Sequence, residues 1–333
     1  MAHTTTLPTR ELGSSGLLTG AVGLGAEMMT NEPLSRETSI ATIRTALDAG
    51  MTLVDTGDFY GMGDNEELIC ESLRPGDRDN AILSVKFNGL KDPAGRFVGI
   101  EGRPEHVKNF LTYSLRRLGT DYIDIYRPSR LAPDVPIEDT VGAISELIDA
   151  GYVRHLGLSE VGSDTIRRAH TVHPVTDVQL EYSLFSRVIE RDILNTTLEL
   201  GIGVTAYAVL GHGLLTGEFQ RDAVDDRFKG HLPRFNDENL PINLALVDKL
   251  RTIATRRGVS VAQLATAWVL AKSPNIVPLV GARRPERIPQ AVEAAQLNLT
   301  ADDIAEIEHA APQESVAGTR YAAPLMALLD SER

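Results

Sequence analysis

Short apolar runs alternate along the chain with windows in which apolar residues recur every three or four positions. The runs read as strands and the windows as helices packed on one face. Strand candidates are 21–24, 52–55, 82–86, 122–126, 154–158, 176–180, 203–207 and 276–280, eight in all. Ile40, Ile43, Ala46 and Leu47 form one helical stripe, and Ile137, Val141, Ile144, Leu147 and Ile148 another. Helical windows stop at Gly50, Gly119, Gly151 and Gly201, because glycine accepts the left-handed conformation that ends a helix.

Eight strand–helix units without a linker rich in Gly, Ser or Pro predict a closed (β/α)8 barrel of the TIM type. The rival is a doubly wound dinucleotide-binding sheet, which wants G-x-G-x-x-G after its first strand. Gly23-Leu24-Gly25-Ala26-Glu27-Met28 lacks the third glycine, so the barrel is preferred. The whole chain, 1–333, reads as one domain, with a core from about 10 to 310. Residues 10–17 have hairpin chemistry and are placed to plug the barrel bottom. Residues 211–240 read as a functional loop, and the tail 311–333 as a cover for the barrel mouth.

Composition narrows the function. Hydrophobic content of 42% and charged content of 24% are those of a soluble globular protein. A net charge of -13 argues against nucleic acid and anionic membranes as partners. No apolar run approaches the roughly 20 residues that span a bilayer, and no signal peptide is evident at the first residues. A single cysteine, Cys70, sits in an amphipathic window and excludes an intrachain disulfide. The eight histidines are scattered without metal-ligand spacing, so no metal is expected. A reducing, cytoplasmic setting is the simplest expectation.

In a barrel, reactive groups sit at the C-terminal strand ends. Asp55 ends the second strand candidate, Tyr60 follows in a glycine-broken loop, and Lys86 ends the third. A phenol near pKa 10 is a poor proton donor at neutral pH until an ammonium stabilises its phenolate. An aspartate beside that lysine keeps the amine charged. The set suits protonating a carbonyl oxygen as hydride reaches the carbon, or the reverse. The residues alone leave a second reading open, a tyrosine packed over the barrel end and an Asp–Lys pair of structural role.

Asp55-Thr56-Gly57-Asp58-Phe59-Tyr60-Gly61 with Asn65-Glu66 resembles the D-T-A-x-x-Y-G…N-E segment of the aldo-keto reductase family. Gly102-Arg103-Pro104, the run Ser114 to Asp124, Val153 to Ser159, and Gln179 to Ser183 are similar to further family motifs in family order. The resemblance covers nearly the whole chain. It implies an oxidoreductase that binds NADPH without a Rossmann fold and acts on a small carbonyl or alcohol substrate. Asp55, Tyr60 and Lys86 match three of the four family catalytic positions, with Tyr60 as general acid. The fourth, usually histidine, falls on Ser129 in Tyr126-Arg127-Pro128-Ser129-Arg130. A serine there can donate a hydrogen bond but has shorter reach and no charge.

For the cofactor, the resemblance points to Gly25, to Ser159, Glu160 and Gln179 at the nicotinamide carboxamide, and to Tyr207 stacked on its ring. It points also to Leu210, His212, Gly213 and Leu215 around the pyrophosphate. Gly281, Arg283, Arg284, Arg287 and Gln290 fall on the adenosine side, where a helix start and arginines favour a 2′-phosphate. Met28, Phe59, Phe87 and Tyr321 are substrate-pocket candidates. A non-catalytic NADPH-binding sensor that docks a partner is the competing function, supported by the serine alone. A Schiff-base lyase using Lys86 has little behind it.

Overall fold

In the computed structural model, which describes residues 7–30, 34–219 and 229–333, the expected strands close into one parallel eight-stranded barrel. Residues 220–228 of the expected loop lie outside the described residues. A hairpin, β1 (Thr9–Glu11) and β2 (Leu18–Gly20), precedes the barrel. The barrel strands are β3 (Gly23–Gly25), β4 (Leu53–Gly57), β5 (Ile82–Phe87), β8 (Ile123–Pro128), β9 (Val153–Ser159), β10 (Val175–Glu181), β11 (Gly203–Tyr207) and β12 (Ile276–Val280). They neighbour one another in that order, and β12 closes on β3. A second hairpin, β6 (Gly89–Lys91) and β7 (Phe97–Ile100), which the apolar pattern does not mark, extends from the end of β5.

Helices α1 (Arg36–Asp48), α2 (Asp64–Ser72), α3 (Pro104–Leu118), α4 (Ile137–Asp149), α5 (Ser163–Val172) and α6 (Ile193–Glu199) each follow one strand. Helices α7 (Asn239–Arg256) and α8 (Val261–Lys272) follow β11, and α9 (Ile288–Ala294) and α10 (Ala301–Ala310) follow β12. None of the described helices is long and apolar enough to cross a membrane. Gly50, Gly119, Gly151 and Gly201 all take positive φ at helix ends, as the pattern predicts. The first barrel strand starts later than expected, because Ala21 N donates instead to Pro8 O of the hairpin at 2.7 Å.

Alternation along each strand builds the barrel interior in layers. Leu53, Ile82, Ile125, Val277 and Leu279 form an apolar layer joined by Leu12 of the hairpin loop, which is fully buried. The plug fits because Gly203 leaves room: a Cβ there would meet Leu12 and Gly13 backbone at 2.9 Å. Further along the strands come Asp55, Ser84, Arg127, Asp177, Gln179 and Thr205, all buried. The interior is therefore apolar toward the plugged end and polar toward the mouth.

Candidate active site

Pairing of Asp55 with Ser84 and of Gly57 with Lys86 sets the ends of β4 and β5 side by side. Lys86 forms an ion pair with Asp55. Asp55 Oδ1 also accepts from Ser84 Oγ and Gln179 Nε2, each at 2.8 Å. Tyr60 opens a short turn, Tyr60–Gly63, in which Gly61 and Met62 adopt left-handed φ of 56° and 54°. That turn sets Lys86 Nζ 5.1 Å from the centre of the Tyr60 ring. Burial holds the Tyr60 phenol well above its ordinary value, and the charges of Glu27 and Asp55 add to this. Burial likewise pushes the Lys86 ammonium down, while Asp55 pushes back. Phe59 meets Tyr60 edge-on at 5.0 Å between ring centres.

Beneath this pair lies a second buried pair that the motifs do not mark. Arg127 Nη1 lies 3.0 Å from Asp177 Oδ2, and Arg127 Nη2 donates to Ser84 Oγ at 2.9 Å. Thr205 Oγ1 donates to the same Asp177 oxygen at 2.7 Å. Through Ser84 the two pairs form one network that fixes the Asp55 carboxylate.

Ser129 follows β8, as the resemblance implies, but its hydroxyl is committed. Ser129 Oγ donates to Asn88 Oδ1 at 2.7 Å, and Ser129 N donates to the same oxygen at 3.1 Å. Asn88 holds φ 81° and sends Nδ2 to Arg130 O at 2.8 Å. The Asn88-Gly89 dipeptide is a turn signal, the one sequence mark of this clasp. The Arg130 charge acts on Tyr60, Tyr207, Tyr321 and Glu27, so the arginine belongs to the mouth. Glu27, in the turn Glu27–Thr30 after β3, is solvent-accessible within the mouth, yet the crowding around it raises its carboxyl. Neither Arg130 nor Glu27 carried a role on motif grounds.

At the end of β9, Ser159 Oγ is buried with no hydrogen-bond partner among the described residues. Glu160, expected beside it at the cofactor, is turned elsewhere. Its carboxylate pairs with Arg320 at 2.8 Å and accepts from Ser331 Oγ of the tail. Burial opposes the Glu160 charge, but Arg320 outweighs that and holds the carboxyl down to about 2. Arg320 also reaches Glu181 at 3.3 Å and Glu332 at 2.8 Å. The tail thus crosses the mouth as expected, and Tyr321 OH lies 3.2 Å from Tyr207 OH.

Phe87 is not in the mouth. Alternation from Lys86 turns it outward, where it is fully buried and stacks on Tyr126 at 4.2 Å. Met28 and Phe59 are half-buried, Phe59 against Tyr60, and Tyr321 is buried. In the turn after β11, Gly211, His212 and Gly213 have consecutive φ of 56°, 54° and 106°, Leu210 is half-buried and Leu215 lies in the core. After β12, Gly281, Arg283, Arg284 and Arg287 are exposed and Gln290 is half-buried. Arg287 pairs with Glu218 at 2.6 Å. Gly25 faces Gly281, since a Cβ on Gly25 would lie 4.0 Å from Gly281 N. Two clefts open at the opposite end of the barrel, one beside Glu190 and Lys272 and one beside His155, His170 and His173. Neither includes a residue of this site.

A family model described as aldo/keto reductase family matches residues 21–312. A protein of Glycine max called probable aldo-keto reductase 1 is 37% identical over 316 residues, covering 93% of this chain and 91% of that protein. The solved glycerol dehydrogenase of Gluconobacter oxydans aligns with a TM-score of 0.82 at 28% identity, over 97% of this chain and 100% of that one. An aldo-keto reductase from Bacillus halodurans, solved in its holo form, gives 0.78 at 23% identity, over 92% and 97%, which speaks for the fold.

Proposed function

The chain belongs to the aldo/keto reductase family and is an NADP(H)-dependent oxidoreductase, and from that premise we propose that Tyr60 supplies the proton in reduction of an aldehyde or ketone. The observation that carries this reading is the buried Asp55–Lys86 pair with Lys86 Nζ 5.1 Å from the Tyr60 ring, at the mouth of the barrel.

The residues fit the cofactor. The orphaned hydroxyl of Ser159 suits a carboxamide, and Gln179 stands beside it with Nε2 already on Asp55. Gly281 leaves open space, with no atom of the described residues within 4 Å of a Cβ built there. Leu210, His212, Gly213 and Leu215 would frame the pyrophosphate, with Gly25 and Gly281 beside it. Arg283, Arg284 and Arg287 would face the 2′-phosphate, which favours NADPH over NADH, and Gln290 the adenine. Tyr207 would lie along the nicotinamide. Glu160 is left out of this set, since its carboxylate serves Arg320 and its backbone N and O are bonded to Gln179 and Ser331. When bound, NADPH supplies the hydride to the carbonyl carbon.

The protein supplies the proton. Tyr60 donates to the developing alkoxide oxygen and becomes phenolate. An isolated buried phenol would resist this, as burial and the charges of Glu27 and Asp55 raise it. Lys86 offsets the new negative charge, and Asp55 keeps Lys86 charged against burial. In alcohol oxidation the same groups run in reverse.

Loss of NADPH absorbance with a panel of aldehydes tests the reading. Tyr60→Phe is expected to lower kcat by ~10²–10⁴, the usual worth of general acid catalysis, while NADPH binding stays unchanged. Turnover of Tyr60→Phe at the parent rate would refute the role of Tyr60.

A further inference from the structure

Four arginines sit in or beside the polar end of the barrel interior, and three of them are answered by acids. Arg127 pairs with Asp177, Arg234 with Glu181, and Arg320 with Glu160, Glu181 and Glu332. Arg130 is different. Its guanidinium makes one hydrogen bond to protein among the described residues, from Nη1 to Ser129 O at 2.6 Å. No carboxylate among the described residues comes within the 4.0 Å of an ion pair. Its other nitrogens are not among the buried unpaired atoms, and the residue is half-buried, so part of the guanidinium reaches solvent.

The position is fixed rather than loose. Ser129 N donates to Phe87 O at 3.0 Å, and Asn88 holds both Ser129 and the Arg130 carbonyl. Of the acids whose charge reaches Arg130, Glu160 is bound by Arg320, and Glu27 is exposed to solvent and forms no ion pair with Arg130 among the described residues. The cofactor phosphates do not answer it either. In the ring of eight strands, β8 and β12 stand four places apart in both directions. Arg130 follows β8, whereas Arg283, Arg284 and Arg287 follow β12, so the phosphate end is across the mouth.

A guanidinium keeps its proton at any physiological pH and matches a carboxylate or phosphate with two parallel donors. Left without a counter-ion in a partly enclosed mouth, it strongly favours a ligand that carries one. Resting on the oxidoreductase reading above, we propose that Arg130 is a substrate-recognition residue, and that the enzyme selects carbonyl compounds bearing an anionic group, a carboxylate or phosphate, held by Arg130 while Tyr60 faces the carbonyl oxygen.

The test compares 4-carboxybenzaldehyde with its neutral methyl ester in the NADPH-loaded enzyme and in Arg130→Gln. The parent is expected to favour the carboxylate in kcat/KM, and Arg130→Gln to reduce the ratio of the two by at least about tenfold through KM. Arg130→Lys, which keeps the charge, should retain part of the preference. A ratio unchanged by Arg130→Gln, or a parent that favours the ester, would overturn the proposal. Calorimetric titration of NADP⁺-loaded protein with benzoate and benzamide gives a readout free of turnover. Benzoate affinity should fall in Arg130→Gln while benzamide affinity holds, which also shows that the variant is folded. Benzoate affinity that depends on Arg283 or Arg284 instead would refute the site. If benzoate binding depends on Arg130 but no aldehyde is reduced, the reductase reading fails and the subsite stands. If esters are reduced but neither readout depends on Arg130, the subsite fails and the reductase reading stands.

Discussion

Ser129 occupies the place where the resemblance implies histidine, and its hydroxyl is bonded to Asn88 Oδ1 at 2.7 Å. A hydroxyl already spent on a buried amide has little left for a substrate. Ser129→Ala is therefore expected to keep kcat within a few-fold of the parent, while stability falls by about 1 kcal/mol for the lost bond. Steady-state kinetics and denaturant titration measure the two effects; a collapse of kcat comparable to that of Tyr60→Phe would show that serine reaches the substrate after all. Asp55, Tyr60 and Lys86 were readable in the sequence because two end strands that the apolar pattern marks and the third follows directly. Phe87, expected in the pocket, lies outside it because the same alternation turns the neighbour of an inward lysine outward. Arg130 carried no such signal, since a loop residue has no period to say where its side chain goes.

At the scale of elements, the strands were the most legible feature; the spans of β11 and β12 match the apolar runs residue for residue. The hairpin of β6 and β7 was not legible, being two strands of three and four residues that are largely solvent-facing. The segment between β4 and α2 holds another feature without a sequence signature. Asp58 Oδ1 is buried without a hydrogen-bond partner among the described residues. Burial, and then the charge of Glu66, push the Asp58 carboxyl from 3.8 up to about 8. An acid raised by folding binds more protons in the native state, so its ionisation withdraws stability as pH climbs from about 4 to about 8. Asp58→Asn keeps the shape without the charge. Its melting temperature should exceed that of the parent at pH 8 and converge with it near pH 4, with roughly 2–4 °C for each ~1 kcal/mol recovered. Parallel melting curves across that range would refute the assignment. Because the next residues are Phe59 and Tyr60, the same titration bears on the turn that carries the proton donor.

Across the whole molecule, the closed barrel and the covering tail were anticipated, but the anchor of the tail was not. Arg320 joins Glu160, Glu181 and Glu332 in a buried cluster behind the mouth. Pairings across 160 and 139 residues leave no local pattern to read. Arg320→Met should cost ~3–5 kcal/mol, because the buried Glu160 carboxylate loses its ion-pair partner. Urea denaturation would record that loss, and limited proteolysis would show whether the tail is the first part released. A change below ~1 kcal/mol would mean that solvent screens the cluster. The cluster also sets an order in time. At ~5–20 residues per second of synthesis, Glu160 emerges roughly 8–32 s before the arginine that neutralises it. Through that interval the nascent barrel carries an unpaired Glu160 that disfavours a dry interior, so its mouth can finish closing only once the far end of the chain has been made.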